Sequence, residues 1–196
     1  MPLAPDGYGL LPVVKVDPAL LAAFHCGKPR LDAFLVDDAP QLHRARLGLT
    51  TVAFHRDFEG LVVGYFTLAN DSLPLTKSEQ FAFGVEVELK SYPAVKLGRL
   101  AVAESLQGQR VGKQLMDFVH GEILDSASLS AARLVVLDAD ADRRVVDFYR
   151  SLGYEESLWA ENQARNHRTT APRGSTAPKT VKMIRDILAP RDASSS

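Results

Sequence analysis

Apolar residues recur along the chain with two different spacings, and the alternation between these spacings predicts an α/β protein. A strand with Leu and Val at its apolar positions is predicted over 96–102, and a short polar loop follows it. The next segment is predicted to be a helix, because Val111, Leu115, Phe118 and Val119 recur at i, i+4, i+7 and i+8 and form one apolar face. We take this strand, loop and helix as the central unit of the fold.

The other elements are predicted from apolar spacing and from the residues that begin and end helices. Further strands are predicted over 10–16, 50–55, 61–69, 132–139 and 180–188, with 50–55 and 61–69 forming a hairpin. Further helices are predicted over 18–24, capped by Asp17, over 30–48, and over 143–152, capped by Asp142. The segments 77–92 and 155–179 are predicted to be irregular, with a flexible loop over 169–178. This order favours an α/β (α+β) fold with a mixed central sheet of six to seven strands and about four flanking helices.

Length and composition indicate one domain with a sizeable core. The 196 residues are 46% hydrophobic, so we expect a single domain over 1–189 and a disordered tail over 190–196. The formal net charge of -1 gives no overall electrostatic attraction for nucleic acid or for an anionic membrane. A single cysteine, Cys26, is typical of a reducing compartment, and no leader or membrane span is predicted. We therefore expect a cytoplasmic protein that does not bind a membrane.

The loop before the central helix has the composition of a phosphate site. A strand that passes through small residues into a helix leaves free backbone N–H groups at the positive end of the helix dipole. Gly108 and Gly112 allow an anion to approach the backbone closely, because they carry no Cβ. Glycine spacing alone is weak evidence, and a βα unit with nothing bound is the ordinary alternative.

The residues in this loop are more specific than glycine spacing alone. Gln107, Gly108 and Gly112 resemble the acetyl-CoA-binding motif of the GNAT superfamily of N-acetyltransferases, with Arg110 where the middle glycine usually stands. The segment DFYRSLGY at 147–154 resembles the FYxxxGF segment of the same superfamily, with Tyr154 in place of Phe. The resemblance covers most of the chain and implies the GNAT fold and an acetyl-CoA-dependent acetyltransferase.

Other segments resemble one branch of that superfamily. They are FHCG at 24–27, LDAFL at 31–35, GYFTL at 64–68 and LGRLAV at 97–102. That branch includes toxins of bacterial toxin–antitoxin pairs, which acetylate the amino group of aminoacyl-tRNA. The resemblance implies charged tRNA as the acceptor and a small ribbon-helix-helix antitoxin as a partner, and a homodimer is a further expectation.

The resemblance also implies roles for individual residues. Binding of the cofactor pyrophosphate is expected at the backbone amides of Gln107, Gly108, Gln109, Arg110, Val111, Gly112 and Lys113. The pantetheine arm is expected to pair with Leu100, Ala101 and Val102, and the N–H of Val102 to donate to the thioester oxygen. Tyr149 is the candidate general acid, although it shares a helical face with Val145 and Leu152 and periodicity alone favours a core aromatic. No metal is expected.

Other candidates have ordinary explanations. Glu104, Asp138 and Asp140 follow or end predicted strands, but none is assigned as a general base. Cys26 has no nucleophile-type partner in sequence, and the histidines show no metal-ligand spacing. Trp159 is either part of an acceptor groove or packed against the last strands. Basic residues near the second helix are either a solvated face or contacts for RNA phosphates, namely Lys28, Arg30, His43, Arg44 and Arg46.

Three hypotheses about function remain open at this point. The first is an acetyltransferase that modifies aminoacyl-tRNA, and the second is an acetyltransferase for a small amine or a protein amino group. The third is a regulatory module that binds acyl-CoA without turnover, favoured only by Arg110 in the glycine motif.

Overall fold

Seven strands and seven α-helices occupy the residues that the structure, a computed structural model, describes, namely 3–125, 131–170 and 179–189. The strands are β1 Tyr8–Pro12, β2 Leu49–His55, β3 Gly64–Leu73, β4 Tyr92–Val102, β5 Leu134–Asp140, β6 Glu155–Glu156 and β7 Thr180–Asp186. The helices are α1 Pro18–Ala22, α2 Pro29–Ala33, α3 Ala39–Arg44, α4 Lys77–Ala82, α5 Val111–Asp125, α6 Arg143–Arg150 and α7 Leu158–Thr170. The strands have the order β1-β2-β3-β4-β5-β7-β6 in one sheet, so the predicted fold class is confirmed.

The described residues divide into two compact units. The first unit contains the residues up to Ala69 and those from Leu97 to the end of α5. The second unit contains the residues from Asn70 to Lys96 and those after α5. Both β3 and β4 contribute residues to each unit. No helix within the described ranges is both long and apolar enough to cross a membrane.

The predicted hairpin is present in the first unit. β2 and β3 are antiparallel with Leu49 opposite Leu68, and β1 pairs antiparallel with β2 through Tyr8 opposite His55. The opening strand was predicted over 10–16, but the chain leaves the sheet after Pro12 and continues as a 3-10 turn. Pro12 has no N–H to continue the ladder, which explains the early end of this strand.

The helices of the first unit begin where the sequence signals indicate. The Asp17 side chain accepts a hydrogen bond from the Ala19 N–H (2.8 Å) and caps α1, as predicted. A single second helix was predicted over 30–48. The structure has helical backbone from α2 to α3, but a π-helical turn at Phe34–Asp38 separates the two. Pro40 lacks the N–H that a continuous α-helix would use to bond four residues back, which gives a physical reason for the wider turn.

A close contact fixes β3, β4 and α5 relative to one another within the first unit. A Cβ on Gly64 would lie 2.6 Å from the Ala101 carbonyl oxygen and 2.7 Å from Cδ1 of Leu115. Only glycine fits this position without movement of β4 or α5. Val111 and Leu115, on the predicted apolar face of α5, are buried in the same cluster.

Two segments of the second unit correct the sequence predictions. The segment 77–92 was predicted to be irregular, but it contains α4 and the first residue of β4. The segment 155–170 contains β6 and α7 instead of a loop. Thr76 and Glu79 form a capping box at the start of α4, and the second Glu79 oxygen accepts a bond from the Leu158 N–H (2.8 Å) at the start of α7. One buried carboxylate therefore caps two helices.

The remaining elements of the second unit agree with prediction. β5 and β7 are antiparallel, with Val136 opposite Ile184, and β6 pairs with the other edge of β7. The Asp142 side chain accepts a bond from the Arg144 N–H (2.7 Å) and caps α6. The flexible loop was predicted over 169–178, but residues 169 and 170 belong to α7 and the rest lies outside the described residues, as does the predicted tail at 190–196.

Asp138 in the second unit provides a test of acid stability. Its carboxylate contacts the amino groups of Lys96 (2.7 Å) and Lys182 (2.8 Å). Burial opposes ionisation, but the hydrogen bonds from the two lysines outweigh it and hold the Asp138 pKa below its usual 3.8. Asp138→Asn is expected to lower the free energy of unfolding by about 1 kcal/mol near pH 7, a value discounted for solvent screening because the side chain is 33% exposed.

The pH dependence of that difference follows from the direction of the pKa shift. A depressed carboxyl pKa stabilises the folded state above the unfolded pKa, and this contribution disappears as the pH falls through the folded pKa. Urea unfolding from pH 7 to pH 2 should therefore show the parent and Asp138→Asn converging below pH 3.8. Glu88→Gln is the control, because Lys77 and Glu88 are 72% and 74% exposed and little change is expected. A constant difference down to pH 2 would contradict this account.

Candidate active site

The loop between β4 and α5 has a distinctive backbone conformation. After a 3-10 turn at Glu104–Leu106, Gly108 has φ +76° and Arg110 has φ +65°, and α5 begins at Val111. Nothing lies within 4 Å of the position of a Cβ on Gly108, so an anion would meet backbone and not side chain there. Arg110 is one of two non-glycine residues with positive φ among those described, at the position where the resemblance expects glycine.

The Gln107 side chain anchors this loop. Its Nε2 donates to the Cys26 carbonyl (2.8 Å) and to the Val102 carbonyl (3.1 Å). These two bonds connect the start of the loop to the last residue of β4 and to the segment before α2. The predicted cofactor contact of Gln107 uses its backbone N–H, and its side chain makes an additional positioning contact.

The backbone N–H of Val102, at the end of β4, points away from β3. The Ala103 N–H donates to the Val63 carbonyl (3.0 Å), so Ala103 faces β3. Because successive N–H groups in a strand point to opposite edges, the Val102 N–H points to the edge of β4 that lies away from β3. This is the orientation that the predicted contact with a thioester oxygen requires.

The segment before α2 is hydrogen-bonded to its neighbours, and its thiol is buried. The Cys26 N–H donates to Asp32 (2.9 Å), and the Glu104 N–H donates to the His25 carbonyl (3.0 Å). Burial, reinforced by a hydrogen bond with Asp32, raises the pKa of the Cys26 thiol to about 11. Cys26 is therefore protonated at neutral pH, which agrees with the interpretation as a buried thiol and not as a nucleophile.

A cavity of about 460 Å³ lies in the first unit beside the segment that follows β4. Its walls come from α1 and the residues just after it, from the β2–β3 connection and from the segment 103–106. Most of the lining is apolar, including Phe24 and Leu61, with His25, Glu104 and Ser105 as polar members. This cavity was not anticipated from the sequence, because its walls are distant along the chain.

Tyr149 belongs to the second unit and is only 9% exposed. Its ring makes edge contacts with Phe148 (5.0 Å between centroids) and Tyr154 (5.7 Å). Its hydroxyl makes no hydrogen bond to any residue in the described part of the chain. Burial, with a smaller contribution from Asp140, raises the pKa of Tyr149 well above 10, so the phenol keeps its proton at physiological pH.

The structure explains several other residues that the sequence singled out. Asp138 is ion-paired with two lysines and Glu104 is exposed, so neither has the environment of a tuned general base. Trp159 packs against a core cluster of the second unit that contains Tyr92 and Leu134, which supports the interpretation as a packing residue. Within the described ranges, no group of three or more His, Cys, Asp or Glu side chains is arranged to hold a metal ion.

For the basic residues near the second helix, a contact with RNA phosphates stays a prediction. Four of them are exposed, namely Lys28, Arg30, Arg44 and Arg46. His43 differs, because its Nδ1 accepts a bond from the Thr50 N–H (3.1 Å). This hydrogen bond of the imidazole connects the end of α3 to the start of β2.

Residues 58–156, just over half of the chain, match the acetyltransferase (GNAT) domain family. The chain therefore belongs to the GNAT acetyltransferases, and the prediction of an acetyl-CoA-dependent acetyltransferase is confirmed at the level of the family. The matched residues contain both the loop at 107–112 and Tyr149.

Solved structures similar to this chain include toxins of this fold. AtaT in complex with acetyl-methionyl-tRNAfMet has a TM-score of 0.69 and 21% identity, with 91% of this chain and 94% of that chain covered. AtaTR bound with acetyl-CoA has a TM-score of 0.67 and 22% identity, with 93% and 95% covered. A tyrosine-to-phenylalanine mutant of KacT has a TM-score of 0.66 and 18% identity, with 90% and 94% covered. At these identities the similarity establishes the fold.

Proposed function

We propose that this protein transfers an acetyl group from acetyl-CoA to the α-amino group of an aminoacyl-tRNA. The observation that carries the proposal is the match along nearly the whole chain to AtaT, whose structure contains acetyl-methionyl-tRNAfMet. Family membership supplies the acetyl transfer, and the match suggests the acceptor. A small antitoxin of ribbon-helix-helix type is the proposed partner, since AtaT also occurs bound to the C-terminus of the antitoxin AtaR.

The residues of the first unit would hold the cosubstrate. In the proposal, the amides of 107–113 bind the pyrophosphate, with the open backbone at Gly108 and the start of α5 as supporting observations. The pantetheine arm would pair with Leu100, Ala101 and Val102 at the C-terminal end of β4. The Val102 N–H would then donate to the thioester oxygen, a type of contact worth about 3 kcal/mol in the transition state.

Proton transfer would need only one side chain of the protein. The neutral amine attacks the thioester carbon, the C–S bond breaks, and Tyr149 would give its proton to the departing thiolate. The extra proton on the new amide nitrogen would leave to solvent, and solvent would return a proton to Tyr149. The raised pKa keeps Tyr149 protonated and ready to donate. We assign no general base, because the amine of an aminoacyl ester has a lowered pKa and is substantially neutral near pH 7.

A second candidate is acetylation of a small amine or a protein amino group. One observation favours it. The formal net charge is -1, whereas binding of nucleic acid depends strongly on neutralising phosphates with Lys and Arg.

The test is thiol release from acetyl-CoA with charged tRNA, and separately with polyamines, amino acids and peptides. We expect turnover with charged tRNA and a product whose amino acid carries the acetyl group, measured by mass spectrometry after ester hydrolysis. Deacylated tRNA is the matched control, because it presents the same phosphates without the amine. Turnover only with small amines or peptides would establish the second candidate. Tight acetyl-CoA binding without turnover on any acceptor would favour the third hypothesis, a regulatory module that binds acyl-CoA.

A further inference from the structure

Arg99 on β4 is a half-buried cation that has no carboxylate partner within the part of the chain that the structure describes. Its terminal nitrogen Nη1 donates to the adjacent Gly98 carbonyl (2.7 Å), and its Nε is buried without a hydrogen-bond partner. No acidic side chain in the described ranges forms an ion pair with it. Three other half-buried basic residues each contact a carboxylate, namely Lys96, Lys182 and Arg133.

The surroundings of Arg99 fix the guanidinium without neutralising it. Its Cζ lies 4.9 Å from the centroid of the Phe34 ring, a cation–π contact. Phe34 in turn stacks on Tyr65 at 6.2 Å, and the Tyr65 hydroxyl donates to the Leu31 carbonyl (2.8 Å). Burial raises the pKa of Tyr65, so this phenol is neutral and supplies no counter-charge.

An unpaired buried donor on a charged side chain is costly, and an anion that bound the guanidinium would offset part of this cost through its charge. Leaving such a group unsatisfied costs free energy, and the planar guanidinium matches the oxygens of a phosphate better than an ammonium would. A surface arginine would find water instead. Arg99 has an aromatic ring on one side and a strand beneath it, so it is preorganised for a ligand.

The position of Arg99 relates it to the proposed transfer site. Arg99 precedes Val102 by three residues on the same strand, which places their Cα atoms about 10 Å apart. Its side chain contacts Phe34, whose cluster also contains Ala101. In an aminoacyl-tRNA, the reacting amine and the last phosphodiester are separated by one ribose and the aminoacyl ester, a span of comparable size.

Resting on the proposed function, we infer that Arg99 binds the phosphodiester that precedes the terminal adenosine of the aminoacyl-tRNA. It would be a positioning residue, because it holds the acceptor through a group that does not react. The residue would also discriminate between acceptors, since a small amine carries no phosphate at this distance.

The experiment compares the parent protein with Arg99→Gln and Arg99→Lys. We expect Arg99→Gln to raise KM for charged tRNA by about 10- to 100-fold, with a smaller change in kcat and in KM for acetyl-CoA. Arg99→Lys should recover part of this loss, because it keeps the charge without the planar fork. Arg56→Gln is the matched control, since it removes an exposed arginine paired with Asp6.

Two binding measurements separate a phosphate contact from a structural effect. The slope of log Kd against log salt concentration for deacylated tRNA should become shallower in Arg99→Gln by about 0.7, one single-strand phosphate contact. Removing the terminal nucleotide together with its 5′ phosphate should weaken binding to the parent but hardly affect Arg99→Gln. Thermal melting of each variant excludes unfolding as the cause.

The possible failures are distinguishable. Charged tRNA acetylated by the parent and by Arg99→Gln with equal KM and equal salt slopes would contradict the role of Arg99 and leave the proposed function intact. No acetylation of charged tRNA by the parent would contradict the proposed function, and the inference about Arg99 would fall with it.

Discussion

Tyr149→Phe is expected to lower kcat by about 10²- to 10⁴-fold, the range for loss of a positioned general acid. Phenylalanine keeps the ring contacts with Phe148 and Tyr154 and removes only the hydroxyl. Because that hydroxyl forms no hydrogen bond to a described residue, neither stability nor acetyl-CoA affinity should fall. The loss should appear in the chemical step alone.

Single-turnover thiol release and calorimetric binding of acetyl-CoA would measure these quantities. Tyr154→Phe is the matched control, because it removes a hydroxyl from a second buried tyrosine of the same segment. It also restores the residue that the superfamily usually carries there. If Tyr149→Phe kept the parental kcat, Tyr149 would be the core aromatic that its helical periodicity suggested. Because burial raises the Tyr149 pKa, its deprotonation should not limit the rate below pH 10.

Gly64→Ala is expected to destabilise the protein by roughly 1–3 kcal/mol, the cost of overpacking a filled interior. The added methyl group would lie 2.6 Å from the Ala101 oxygen and 2.7 Å from Cδ1 of Leu115. Since the Ala101 oxygen is backbone, relief requires β4 to move. The predicted thioester-binding amide of Val102 is the next residue, so acetyl-CoA affinity should fall together with stability.

Differential scanning calorimetry and titration with acetyl-CoA would test this expectation. The control is Gly9→Ala on β1, where nothing lies within 4 Å of the new Cβ and no loss is expected. For a chain of this length, 1 kcal/mol corresponds to a change of about 2–4 °C in Tm. Equal Tm values for Gly64→Ala and Gly9→Ala would show that β4 and α5 yield easily at this point.

The elements that sequence analysis missed had different kinds of signal. α4 begins at the sequence Thr76-Lys77-Ser78-Glu79, a capping box that is visible without a structure. The start of α7 has a weaker local signal, a single N-cap serine whose Oγ accepts a bond from the Ala160 N–H (3.3 Å), and its capping carboxylate is Glu79, which is far away along the chain. The polar composition of 155–170 therefore suggested a loop where the tertiary contact supports a helix.

Some residues of the candidate site could be predicted from the sequence and others could not. The loop at 107–112 and the tyrosine at 149 were predicted from short motifs, and Gly108 in that loop has a positive φ. Arg99 was visible only as one letter of LGRLAV. Its significance depends on Phe34 above it and on the absence of a carboxylate in the described ranges around it, and neither follows from neighbouring residues.

The residues alone were enough to predict the fold class, the β4–α5 unit, the β2–β3 hairpin and the caps at Asp17 and Asp142. These features depend on apolar periodicity and on backbone hydrogen bonds between near neighbours, so the local residues specify them. The folded structure is needed to show that a Cβ on Gly64 would lie too close to β4 and α5, that Asp138 pairs with two lysines and that Arg99 has no ion-pair partner among the described residues. Burial and charge pairing are set by segments distant along the chain, which meet only when the protein folds.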